Sequence, residues 1–114
     1  MKRVSISFRE DINFRKIEIA DNFFSRFRGL MFRDCLEQEE GLLLKNCSSI
    51  HCCFMKFPID VVYLASNMTV IAKETVYPWK LGSIFDGAKH VLELPVGTSN
   101  VIKCGMQAVI RDGE

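Results

Sequence analysis

Ile59-Asp60-Val61-Val62-Tyr63-Leu64-Ala65, then Ser66-Asn67-Met68, then Thr69-Val70-Ile71-Ala72-Lys73-Glu74-Thr75-Val76, is the stretch on which the fold assignment turns. Both arms are rich in β-branched and aromatic residues, and the step between them is short and polar, so the pattern predicts a β-hairpin. Pro58 interrupts the chain just before the first arm, and Pro78 stops the second, since proline has no N–H to give to a ladder.

Downstream, a loop containing Gly82 and Gly87 leads to a strand over His90 to Leu94 that ends at Pro95. Val96-Gly97 turns the chain, Thr98 is placed to N-cap one helical turn through Cys104 with Gly105 at its end, and Met106 to Ile110 supplies a last strand. Upstream, Leu42 to Leu44 and Ile50 to Met55 read as strands separated by Asn46-Cys47-Ser48-Ser49 as turn material. Near the start, Val4, Ile6 and Phe8 alternate with polar residues, as do Ile17 and Ile19, which is the period of a half-buried strand. Between these segments the period changes. Phe23, Phe27, Leu30 and Met31 recur at helical spacing behind Asp21 or Asn22 as N-cap, although Gly29 costs such a helix about 1 kcal/mol relative to alanine. The expected architecture is α+β: a single compact domain over residues 1–114, with a mostly antiparallel sheet or partly closed barrel of about seven strands and one main helix.

Composition limits the function classes. At 114 residues, with 48% hydrophobic and 25% charged residues, the chain has room for one hydrophobic core and not for two domains. Fifteen basic against fourteen acidic side chains leave no bulk field for nucleic acid or an anionic membrane. Arg26 and Arg33 fall on the polar side of the expected helix, where solvation accounts for them. No apolar run approaches the length of a membrane span and no secretory core follows Met1, so the chain reads as soluble and cytoplasmic. Its five cysteines, an odd number, are then expected as free thiols.

Several segments together resemble a known family: Arg26-Phe27-Arg28-Gly29-Leu30-Met31-Phe32-Arg33, Ser49-Ile50-His51, Phe54-Met55-Lys56-Phe57-Pro58-Ile59-Asp60 and Val91-Leu92-Glu93-Leu94-Pro95-Val96-Gly97, with the late Gly105. In this order they are similar to the domain of unknown function 192 family of small prokaryotic proteins, over about residues 17–110. The resemblance implies a fold and no established activity. Phe54 and Phe57 stand where the family pattern has tryptophan and asparagine.

The site is therefore argued from residue types. On an extended strand His51, Cys53 and Met55 share one face while Cys52, Phe54 and Lys56 share the other. Cys47 would lie about 13 Å from His51 on a straight strand, so no four-ligand set can be assembled and neither a metal nor a cofactor is expected. His51 and Asp60 flank the bend at Pro58; an imidazole oriented by a carboxylate can act as a general base, with Lys56 beside it to bind an anion. The structural alternative is that Asp60 accepts backbone N–H groups of the turn or pairs with Lys56, while His51 makes one structural hydrogen bond. His90 and Glu93 point to opposite faces and cannot join one site. Trp79 heads a loop, where it covers the core edge or forms part of a contact surface. The function expected is a small-ligand or protein binding module with a cleft near His51, Met55, Lys56, Asp60 and Trp79; the alternative is an enzyme using His51 and Asp60 in acid–base, hydrolase-like chemistry.

Overall fold

A computed structural model describes residues 2–9, 11–20, 35–48 and 55–112. Seven strands run in chain order: β1 (Arg3–Arg9), β2 (Ile12–Ala20), β3 (Glu40–Leu44), β4 (Ile59–Leu64), β5 (Val70–Val76), β6 (His90–Pro95) and β7 (Val109–Asp112). They form one sheet in the order β5-β4-β6-β3-β2-β1-β7. Five of the six pairings are antiparallel; only β2 and β3 run parallel. A parallel pair needs a long connection, and these two strands are separated by 19 residues in the sequence.

The α+β expectation is corrected here. Among the described residues there is no α-helix, only a four-residue 3-10 turn over Thr98–Val101, so the fold is nearly all sheet and open in its strand order. The helix expected from Asn22 lies outside the described residues, as does the strand expected over Ile50 to Met55 except for Met55, which is in no strand. Helical spacing in one segment had set the fold class, whereas the described core is made by strands distant in sequence pairing along their backbones. The 3-10 turn is also shorter than expected, and its N-cap is Gly97, not Thr98. The hydroxyl of Thr98 instead donates to the carbonyl of Pro95 at 2.6 Å.

The expected hairpin is present, with β4 and β5 paired from Ile59–Val76 to Leu64–Val70. Strand β4 lies between β5 and β6 with every residue buried, so its apolar run reflects cover on both faces. One face carries Val4, Ile6, Phe14, Leu43, Val62, Leu64, Leu92 and Leu94, and the other Leu42, Leu44, Ile59, Val61, Tyr63 and Val91. Strand β2 begins at Ile12, earlier than the sequence suggests, because its alternation slips at Arg15 and Lys16, two consecutive exposed residues. Gly41 is required by close approach: a Cβ there would stand 2.5 Å from the carbonyl oxygen of Glu93 on β6. The start of β5 also meets the segment before β7, where Val70 N–H donates to Met106 and Gly105 N–H to Val70, beside an isolated bridge between Thr69 and Gln107.

Candidate functional site

The paired central strands β4 and β6 carry two buried carboxyl groups. Asp60 on β4 is opposite Leu94, and Glu93 on β6 is opposite Val61, so the two side chains leave the sheet on opposite faces.

Asp60 is the hub of the turn after β6. Its Oδ1 accepts from the Thr75 hydroxyl at 2.8 Å. Its Oδ2 accepts from Gly97 N–H at 2.9 Å, Ser99 N–H at 3.1 Å and the Ser99 hydroxyl at 2.6 Å. Gly97 has φ of 91°, a conformation that costs a side-chain-bearing residue strain and leaves its N–H aimed at the carboxylate. The ammonium of Lys73 donates to the Ser99 carbonyl at 2.7 Å and holds the turn from β5.

Glu93 has the opposite environment. It is buried, its Oε1 has no hydrogen-bond partner among the described residues, and burial pushes its carboxyl up to about 8. At neutral pH it therefore holds its proton. Sequence reasoning placed Glu93 only as a neighbour of His90 on the opposite face. The available signal was its position in Val91-Leu92-Glu93-Leu94, an apolar run long enough for a strand covered on both sides, where any carboxyl is buried. His90, on the other face from Glu93, is also buried; burial first, and then the nearby Lys45 and Lys89, hold its imidazole below the usual value. Its Nδ1 accepts from Asn46 N–H at 3.0 Å, as a neutral ring can.

The other expected site residues are separated from one another. Met55 is buried in the cluster with Ile59, Val61 and Tyr63, on the face opposite the Asp60 side chain. Lys56 is exposed. His51 lies outside the described residues, and with it the His51–Asp60 pair. Trp79 does not cover the core edge: it is 60% exposed, with φ of 67°.

Trp79 belongs to a loop that β5 fixes in place. Glu74 accepts from the Tyr63 hydroxyl at 2.6 Å, from Ser83 N–H at 2.7 Å and from the Ser83 hydroxyl at 3.0 Å. Burial alone would raise the Glu74 carboxyl, but these bonds outweigh it and hold the group below its usual value. The Tyr63 ring packs on Phe85 with centroids 4.7 Å apart.

Among the described residues no three His, Cys, Asp or Glu side chains are grouped as metal ligands, and Cys35 and Cys104 are free thiols. No described helix is long and apolar enough to cross a membrane.

Comparison with known proteins places the chain. The family model DUF192, described as an uncharacterized ACR, matches residues 5–110. The chain belongs to this family. DUF192 relatives include a UPF0127 protein of Pyrococcus abyssi, 38% identical over 91 residues, covering 77% of this chain and 78% of that one. Another, from Thermococcus sibiricus, is 37% identical over 86 residues, which are 72% of this chain but only 56% of the relative. Two crystal structures share the fold. A Novosphingobium aromaticivorans protein of unknown function superposes with a TM-score of 0.80 at 21% identity, covering 94% of this chain and 83% of that one. A Sinorhizobium meliloti protein, named as a candidate transcription regulator, has a TM-score of 0.78 at 22% identity over 96% and 92% of the two chains. At these identities the two structures speak for the fold alone.

Proposed function

We propose that this DUF192 protein is a binding module that engages a protein partner through the loop after β5. The observation that carries the reading is the exposure of four large apolar side chains on one short segment: Tyr77 at 58%, Trp79 at 60%, Leu81 at 76% and Ile84 at 81%. Apolar side chains gathered on a surface in this way are characteristic of contact sites, and tryptophan and tyrosine are the residues that most often anchor them. The loop is also held in advance of binding, because Glu74 ties Ser83 to β5 and Lys80 N–H donates to Tyr77. A prearranged loop loses less entropy on association. The acid–base alternative has less support, since both Asp60 oxygens already accept hydrogen bonds, four in all, from Thr75, Gly97 and Ser99.

The test places a photo-crosslinking amino acid at position 79 in the native host and, as a control, at the exposed Arg9. A discrete protein adduct is expected from position 79 only. The purified partner should then bind the unmodified protein, with Leu81→Asp and Ile84→Asp each weakening the Kd at least tenfold, about 1.4 kcal/mol, at an unchanged urea midpoint. Equal crosslinking from both positions, or a Kd indifferent to these substitutions, overturns the reading.

A further inference from the structure

The outer face of β7, β1 and β2 carries a second feature, unrelated to the apolar loop. Strand β1 points Val4, Ile6 and Phe8 into the core and turns Ser5 and Ser7 outward. These two short side chains sit between longer ones on the flanking strands: Ser5 is opposite Arg111 of β7, and Ser7 is opposite Asn13 of β2. A row of short residues between taller neighbours makes a basin, and here Ser5, Ser7, Asn13, Arg15, Arg111 and Asp112 enclose about 380 Å³. That volume falls within the range of small-molecule sites.

The register explains how the basin becomes basic. Val4 pairs with Ile17 and Ile6 with Phe14, so the single residue Ser5 faces both Arg15 and Lys16. This is a β-bulge, which turns a side chain away from its regular alternation; both basic residues are exposed as a result. The acidic member of the rim is already matched, because Lys2 Nζ lies 2.9 Å from Asp112. Arg15 meets Glu39 through Nε at 3.1 Å, an exposed pair of little energetic weight. Arg111 has no ion pair among the described residues. Two arginines and two half-buried serines line this one basin, and these residue types suit a tetrahedral oxyanion: the forked N–H groups of arginine match phosphate oxygens, and serine hydroxyls can donate further bonds.

We infer that the Ser5–Ser7–Arg15–Arg111 basin is a binding site for a phosphate group, carried by a small phosphorylated molecule or present as free phosphate. The reading is independent of the protein-partner surface, since the two share no residue.

The probes are inorganic phosphate and glycerol 3-phosphate, titrated into the whole ¹⁵N-labelled chain at constant ionic strength, with chloride as the control anion. Saturable shifts are expected at the amides of Ser5, Ser7, Arg15 and Arg111. A Kd at least tenfold lower for glycerol 3-phosphate identifies a phosphorylated organic ligand, and equal values identify free phosphate. Arg111→Gln should raise the Kd at least tenfold while leaving the urea midpoint in place. Ser5→Val, which keeps every charge and fills the basin, should do the same; if it folds poorly, Arg111→Lys supplies the second variant and should give a smaller loss, because it keeps the charge without the fork. Shifts that do not saturate, that chloride reproduces, or that survive Arg111→Gln would overturn the assignment.

Discussion

Asp60 and Glu93 are carboxyls buried one register step apart on adjacent strands, and the sheet accommodates them in opposite ways. Asp60 accepts four hydrogen bonds, three of them from the turn that follows β6. Glu93, facing the other side, has no hydrogen-bond partner for Oε1 among the described residues and holds its proton up to about pH 8. A buried carboxylate is tolerated when donors replace water; without them the group escapes the cost of a buried charge by remaining neutral. The first arrangement organises a loop. The second leaves a buried carboxyl whose effect on stability changes with pH.

The sharpest test of the contrast is pH. The Glu93 carboxyl is raised from its usual 4.5 to about 8 in the folded state, so its contribution is fully present below pH 4.5 and is lost as pH climbs to 8, while the unfolded chain ionises freely. Between pH 5 and pH 8 the protein should lose about 3 kcal/mol through this group. Glu93→Gln, which cannot ionise, should remove most of that slope in urea unfolding; an identical slope in the variant would show that Glu93 has a partner and that the contrast is false.

Asp60 should respond to truncation. Asp60→Ala strands the N–H groups of Gly97 and Ser99 and should cost about 2 to 3 kcal/mol at pH 7. Hydrogen exchange at Ser99 should accelerate more than exchange in β1, which lies four strands away from β4 in the sheet order. A loss below about 0.5 kcal/mol would mean that water replaces the carboxylate at no cost.

Gly97→Ala gives the smallest effect and separates backbone strain from crowding. A Cβ at this position meets nothing within 4 Å, so the substitution tests only the left-handed φ of 91° and should cost about 1 kcal/mol. A much larger loss, with the Asp60 contacts broken, would show that the turn depends on glycine for more than its backbone freedom.

The hairpin of β4 and β5 was legible because its arms are contiguous, β-branched and bounded by Pro58 and Pro78. The last strand was misplaced by about three residues, Val109–Asp112 against the expected Met106 to Ile110, because residues 105–108 are spent on hydrogen bonds to the start of β5. Of the site, the sequence leads one to expect that Asp60 accepts N–H groups of its own turn after Pro58, since a carboxylate there has local donors in reach. Its actual donors, Thr75, Gly97 and Ser99, come from 15 to 39 residues away, and nothing in the sequence next to Asp60 names them.

The sequence by itself determined the family, the existence of β1, β4, β5 and β6, and the alternation that sends Val4, Ile6 and Phe8 inward and Ser5 and Ser7 outward. Each of these is a property of residues within a few positions of one another, where side-chain period and β propensity act directly. Only the tertiary structure decided that β2 and β3 run parallel, that β6 lies between β3 and β4, that Glu93 is buried with no partner for Oε1 among the described residues and that Arg111 stands beside Ser5. Those outcomes depend on which distant strands pair and in what register, and pairing is settled by the cooperative burial of both sheet faces, to which each local segment contributes only its share.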